Sequence, residues 1–338
     1  FRRRRLTFAS QTKQSSNIVP DHAPSGIIFK SHEMGEEPDR EPPFPTAVLG
    51  TYSCHGMEPS WDDSDAVCAK INQDRGCVVY PFLGKQDVAL FCVFDGHGER
   101  GDAISNYAMN EMGPRLAAHP AVESDPPTAL KEVFVAVDRD LETLPGGVDC
   151  VYSGTTAVVV LMLGTRLYVA NAGDSRAAGV AAAAAGGVAA GGVSKAGALV
   201  CVPLTIDHDP DRPTEQARIK AAGGFISPPL EEGLSARVWL DAANTQVGLA
   251  MARSIGDHAV KGVGVIADPE VTIHDIAEGD KFLLMGSDGV WEFIPSQTAI
   301  DLVAAKLKPN ADGSGGGATH ACEELIAAAA IEWRGHEG

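Results

Sequence analysis

Apolar residues along this chain recur at two spacings. In "RGCVVYPFLGKQDVALFCVFDGHG", residues 75–98, two apolar runs flank a Gly-containing turn, the signature of two strands. The stretch "TTAVVVLML" (155–163) and "RLYVANAG" (166–173) are separated by Gly-Thr, which predicts an antiparallel hairpin. "SRAAGV" (175–180) reads as a continuation of that meander, and "KFLLMGSDGVWEF" (281–293) as a buried strand ending in a polar turn. Helical spacing appears elsewhere. "DAISNYAMNEMGPRLAAH" (102–119) places Ile104, Tyr107, Ala108 and Met112 on one face. "PPTALKEVFVAVDRDLETL" (126–144) starts with proline and threonine, and "RPTEQARIKAAGG" (212–224) ends in glycines. "SQTAIDLVAAKL" and "GATHACEELIAAAAIEW" predict two more helices near the end.

Strands come in adjacent antiparallel groups with helices grouped between them. This predicts an α+β fold, with sheets packed together and helices outside. A doubly wound nucleotide-binding sheet is excluded, because it needs alternating strands and helices and a GxGxxG loop after a strand. Residues 1–48 read as an extended arm: "FRRRRLTF" is basic, "EEPDREPPFP" is acidic and proline-rich, and neither has a period. The cluster Arg2–Arg5 could dock on an acidic protein partner; a solvated tail is the plainer reading. Residues 49–338 form the second unit, and "GVAAAAAGGVAAGGVSKAG" (179–197) reads as a flexible insertion within it.

Composition narrows the classes. The 338 residues carry a formal net charge of -18, which repels nucleic acid and anionic membrane surfaces. No window supplies the roughly 20 apolar residues of a membrane span. Seven scattered cysteines without a CxxC pair predict free thiols and give no zinc spacing. The expected location is the cytoplasm or another reducing intracellular compartment, with nucleus and cilium both compatible.

Several apolar runs end in an Asp beside Gly: "VFDGHG" (Asp95), "NAGDSR" (Asp174) and "GSDGVW" (Asp288). Asp74, in "KINQD", is a fourth candidate. Singly, each reads as a turn. Together, at the ends of buried strands, they favour converging carboxylates, hard donors suited to Mg²⁺ or Mn²⁺. His97 lies two residues beyond Asp95, where a proton donor would be useful.

The ordered series "KINQD", "VFDGHG", "SGTTAVVVLM", "LYVANAGDSRA", "LTIDHDPDRPTEQARIKAAGGFI", "LAMARSIGD", "GVIADPEV" and "FLLMGSDGVWEF" resembles the protein phosphatase 2C family. The resemblance runs from about residue 50 to the end. "YSCHG" and "KINQD" look more like protist, algal and plant members than animal ones. What the resemblance implies is a four-layer αββα sandwich, two antiparallel sheets flanked by helices. The implied activity is hydrolysis of phosphoserine and phosphothreonine in phosphoprotein substrates, at a centre of two Mn²⁺ or Mg²⁺ ions with a weaker third.

The implied roles are specific. Asp95 bridges two ions, with the Gly96 carbonyl on one; Asp288 binds the first; Asp74 serves the second, directly or through water. Asp174, with Asp288, belongs to the third. His97 protonates the leaving oxygen, and Asp257 in "SIGD" supports the site. The segment 209–245 corresponds to the family's variable flap. This sequence departs from the family pattern in three places. Lys70 stands where members often have a phosphate-gripping arginine. Gln73-Asp74 replaces an acidic pair. The chain stops at "EWRGHEG", where an Asp-containing motif and last strand are expected, so we read a piece of a longer protein; the alternative is a metal-deficient pseudophosphatase that acts as a binding module.

Overall fold

The computed structural model describes residues 27–30, 44–45, 47–59, 67–143, 149–182, 188–189, 192–193, 198–229, 235–309 and 316–337. The main strands are β1 (Ile27–Lys30), β2 (Asp74–Tyr80), β3 (Val88–His97), β4 (Ala157–Leu163), β5 (Arg166–Ala172), β6 (Arg176–Ala182), β7 (Leu199–Pro203), β8 (Glu270–Asp275) and β9 (Asp280–Gly286). The longer helices are α1 (Gly101–Ala118), α2 (Pro126–Asp140), α3 (Pro213–Ala221), α4 (Ser296–Lys306) and α5 (Ala318–Glu337).

The first sheet runs β1-β2-β3-β4-β5-β8, all antiparallel, with the two-residue strand Gly154–Thr155 joining the end of β3 to Ile255–Gly256. The second runs β7-β6-β9, also antiparallel. Unbroken apolar runs arise because central strands are buried on both faces. In β4, Ala157, Val159 and Leu161 point into a cluster with Phe94, Ile104, Met112 and Phe134 of the α1/α2 layer. The alternating residues Val158 and Val160 pack against Val169, Ala177 and Leu204, between the two sheets. The far face of the second sheet, through Val180 and Leu284, covers Ile300 of α4 and Leu325 of α5. The result is helices, sheet, sheet, helices: the expected four-layer sandwich.

The predicted face of α1 is the buried one, since Ile104, Tyr107, Ala108 and Met112 are each 4% exposed or less. The N-terminus of α2 is capped by Asp125, whose carboxylate accepts from Thr128 N and Thr128 Oγ1. The 155–173 hairpin forms as expected, with β4 and β5 paired from Ala157↔Ala172 to Leu163↔Arg166.

Three expectations need correction or extension. "SRAAGV" is a strand, but it does not continue the meander. The chain turns at Gly173 (φ 122), a conformation that favours glycine, and β6 crosses to the second sheet. The Ala/Gly tract is partly regular: Gly179–Ala182 completes β6, and Val188–Ala189 pairs with Gly192–Val193. Its other residues between 183 and 197 lie outside the described residues, as do Arg2–Arg5. Within the N-terminal arm, Ile27–Lys30 is a strand on the edge of the first sheet, paired with Cys77–Tyr80. Among the described residues no helix is long and apolar enough to cross a membrane.

Candidate functional site

Asp95 and Asp74 sit on adjacent strands and face each other in register. Asp95 is 2% exposed and occupies the end of a central strand. Its backbone is fixed on both sides: Asp95 N donates to Thr156 Oγ1 (3.0 Å) and Asp95 O accepts from Thr156 N (2.9 Å). Thr156 Oγ1 in turn contacts Ser175 Oγ at 2.7 Å, tying β3 to the residue after Asp174. Asp174 therefore stands at the crossover from the first sheet to the second. Asp288 begins the short helix Asp288–Trp291, directly after β9.

These separate origins converge. Asp95, Asp174 and Asp288 each offer a carboxylate oxygen within 4.8 Å of the others. Ser287, beside Asp288, donates from its hydroxyl to Asp74 Oδ2 at 2.6 Å and so fixes the fourth carboxylate. Gly96 has a packing reason to be glycine: a Cβ there would stand 2.3 Å from Gly101 O and 2.7 Å from Gln73 O. The segment after it is held as well, with Gln73 Nε2 donating to Gly98 O at 2.7 Å.

His97 is 4% exposed, and its Nε2 lies 2.7 Å from Asp257 Oδ2. Burial pushes the Asp257 carboxyl up, but the adjacent His97 charge and hydrogen bonds from His97 and Ser254 bring it below the usual range. An ionised Asp257 fixes the Nε2–H tautomer, which leaves His97 Nδ1 for proton exchange. That nitrogen is buried and has no hydrogen-bond partner among the described residues.

The structure thus brings Asp95, Asp174 and Asp288 into one group, places Asp74 opposite Asp95, and couples His97 to Asp257. Asp174 is an equal member of the carboxylate group, although the resemblance sets it with a weaker ion. Lys70 is exposed, with its backbone amide bonded to Gly56 O, and no ion pair ties its ammonium to these carboxylates. Sequence reasoning missed Ser287, whose hydroxyl holds the Asp74 carboxylate, and the Thr156–Ser175 pair, which fixes the Asp95 backbone. Ser175 and Ser287 lie beside Asp174 and Asp288, where serine is common for turn reasons alone, and Thr156 lies just before β4 with no Asp-Gly motif beside it.

The sequence profile of the protein phosphatase 2C family matches residues 52–332. The chain belongs to this family. A relative from Oryza sativa subsp. japonica, probable protein phosphatase 2C 64, is 38% identical over 270 residues, covering 78% of this chain and 58% of the relative. Probable protein phosphatase 2C 35 of Arabidopsis thaliana is 33% identical over 280 residues, covering 78% of this chain and 74% of the relative. The chain spans less than two thirds of the rice relative's length. Among solved structures, a serine-threonine phosphatase 2C from Toxoplasma gondii has a TM-score of 0.64 at 21% identity, over 79% of this chain and 87% of that one. A C. elegans sex determining protein has a TM-score of 0.60 at 19% identity, over 78% of this chain and 59% of that one. At these identities the two structures establish the shared fold.

A second group, His208, Glu215 and Glu270, also gathers ligand-type atoms within 4.8 Å. Guanidinium groups already fill it. Arg253 grips Glu215 at 2.7 and 3.0 Å, Arg218 reaches Glu215 at 2.6 Å, and Arg212 grips Glu270 at 2.9 and 3.0 Å. Three cations against two carboxylates oppose a further cation, so the cluster acts as an ionic tie between α3, β8 and the segment leading to Asp257. Burial pushes Glu215 up, but the hydrogen bonds from Arg253 and Arg218 hold it at about 2. Burial and the Arg253 charge lower His208 to about 4.

Both shifts have the same sign for stability. A neutral buried His208 contributes above its unfolded value near 6.5, and that contribution is lost as pH falls toward 4. Glu215 contributes above 4.5, lost as pH falls toward 2. We expect the urea midpoint to drop between pH 7 and 4, and His208→Gln to flatten that drop. An unchanged slope in the variant would show that His208 is not the titrating group.

Proposed function

We propose that the chain is a metal-dependent protein serine/threonine phosphatase acting on phosphoprotein substrates. The observation that carries the reading is the convergence of Asp95, Asp174 and Asp288, three carboxylates from both sheets, with a buried histidine two residues after Asp95. The donor set fits a divalent cation: three carboxylate oxygens, hard donors, within 4.8 Å of one another. The ions we assign are Mn²⁺ or Mg²⁺, two at the centre with a weaker third. Asp95, Asp174 and Asp288 would hold them, and Asp74, set by Ser287, would serve the second. When bound, such cations supply the Lewis acidity that activates water and offsets phosphate charge.

The chain's own residues do the rest. The rigid strand end keeps Asp95 and His97 in fixed relation. Asp257 holds the imidazole by Nε2, so that Nδ1 faces the serine or threonine oxygen and gives it a proton as that oxygen leaves. An alkoxide is a poor leaving group, and a positioned acid contributes about 10²–10⁴-fold. Exposed Lys70 is the cation we assign to the substrate phosphate, as a point charge without the planar fork of arginine.

Two outcomes follow. Phosphoserine peptide turnover should require Mn²⁺ or Mg²⁺ and vanish in excess EDTA, and Asp95→Ala should remove nearly all of it. Turnover that persists in EDTA would defeat the reading, and absence of both Mn²⁺ binding and turnover would favour the metal-deficient binding module. His97→Ala should lower kcat on the phosphopeptide far more than on 4-nitrophenyl phosphate, whose phenolate needs little protonation on leaving. Equal losses would make His97 structural.

A further inference from the structure

On sequence, Asp138 is one more charge on the amphipathic helix α2. In the structure its carboxylate turns toward the loop Ser254–Lys261. Oδ1 accepts from Gly256 N at 2.7 Å and lies 3.2 Å from both His258 Nε2 and Lys261 Nζ. The side chain is 15% exposed. Burial pushes its pKa up, while the His258 hydrogen bond, the Lys261 charge and the Gly256 amide bring it below the usual carboxylate range. His258 is also within 3.1 Å of Glu142 Oε1 and 3.5 Å of Cys150 Sγ.

The loop that Asp138 holds has an unfavourable backbone. Gly256 and Asp257 are consecutive left-handed residues, with φ of 85 and 54. For a non-glycine residue such as Asp257 that conformation is strained and persists only where the surroundings over-determine it. One side of the loop is fixed by backbone bonds: Asp257 N to Ser153 O (2.9 Å), His258 N to Cys150 O (2.9 Å) and Ala259 N to Val151 O (3.0 Å). Asp138 is the side-chain anchor reaching in from α2, alongside the bond Lys261 Nζ makes to Ser254 O within the loop. The product of the left-handed turn is the Asp257 carboxylate, set 2.7 Å from His97 Nε2.

We propose that Asp138 is a positioning residue for the leaving-group acid, fixing the Gly256–Asp257 turn so that Asp257 meets His97. The inference rests on the phosphatase reading. Asp138 contacts neither His97 nor the carboxylate group through any bond described above; it acts through the loop. Its loss therefore affects the step that needs a proton, and spares binding and the attack on phosphorus.

The test uses Asp138→Ala and Asp138→Asn, each alone and in the His97→Ala background, with a phosphoserine peptide and 4-nitrophenyl phosphate in saturating Mn²⁺. Asp138→Ala should lower kcat on the phosphopeptide about 10–100-fold and on the aryl phosphate less than about 3-fold, with KM for both nearly unchanged. In the His97→Ala background the same change should cost less than about 2-fold on either substrate, because the acid it positions is gone. Asp138→Asn keeps an oxygen for Gly256 N and should recover most of the phosphopeptide turnover. If Asp138→Ala does not fold, Asp138→Asn carries the comparison: a smaller but still phosphopeptide-selective loss supports the proposal. Equal losses on both substrates, or losses that multiply with His97→Ala, overturn it. Wild-type protein inactive on both substrates would defeat the phosphatase reading, whereas active wild type with an even Asp138 loss defeats this inference alone.

Discussion

The stacking of two antiparallel sheets forces like charges together at one rim, and the rest of the site follows from that. Asp95 ends a strand of the first sheet, Asp288 follows a strand of the second, and Asp174 marks the crossover between them. The sheets are locked by Val158, Val160, Leu167, Val169, Ala177 and Leu204, so the three carboxylates cannot separate without opening an apolar core. Two full charges 4.8 Å apart repel by about 3 kcal/mol at an effective dielectric near 20. Three such pairs approach the whole net stability of a domain, about 5–15 kcal/mol. A cation between them relieves the repulsion. That relief is the physical content of the metal-site reading.

A similar logic of over-determination governs the His97–Asp257 pair. His97 and Asp257 are 160 residues apart in the chain yet meet inside a buried pair. They meet because Gly154 pairs with His97 on one side and with Gly256 on the other, a junction of two two-residue strands with the end of β3. The turn at Gly256–Asp257 stores strain that backbone bonds to 150–153 and the Asp138 carboxylate hold in place. Just upstream, Arg253 is locked to Glu215, so the segment 253–257 is gripped at both ends. Helix α3 and the Gly256–Asp257 turn thus share one rigid connection.

Much of this was legible in the sequence wherever local pattern and tertiary role agree. The α1 face, the 155–173 hairpin and the strand ends at Asp95 and Asp288 all carry period or punctuation that survives folding. The crossing of β6 to the second sheet was not legible, because "SRAAGV" satisfies either sheet and only the partners 199–203 and 280–286 decide between them. The Ala/Gly tract hid a strand for the same reason: Gly179–Ala182 has little side chain to signal burial, and its pairing is through backbone. Asp138 was invisible because a charge near the C-terminal end of an amphipathic helix is ordinarily a solvated one. Ser287 holds the Asp74 carboxylate, and Thr156 with Ser175 holds the Asp95 backbone, through hydroxyls that no spacing rule singles out. Chemistry-bearing residues with a glycine beside them could be read; the groups that aim them could not.

The central claim, that the rim of the two sheets is a divalent-cation centre, is tested most directly by anomalous diffraction from crystals of the protein grown with Mn²⁺. The account predicts a manganese peak within coordinating distance of the Asp95, Asp174 and Asp288 carboxylates, lost in Asp95→Ala. A peak at His208, Glu215 and Glu270 instead, or no ordered manganese at the rim, would contradict it.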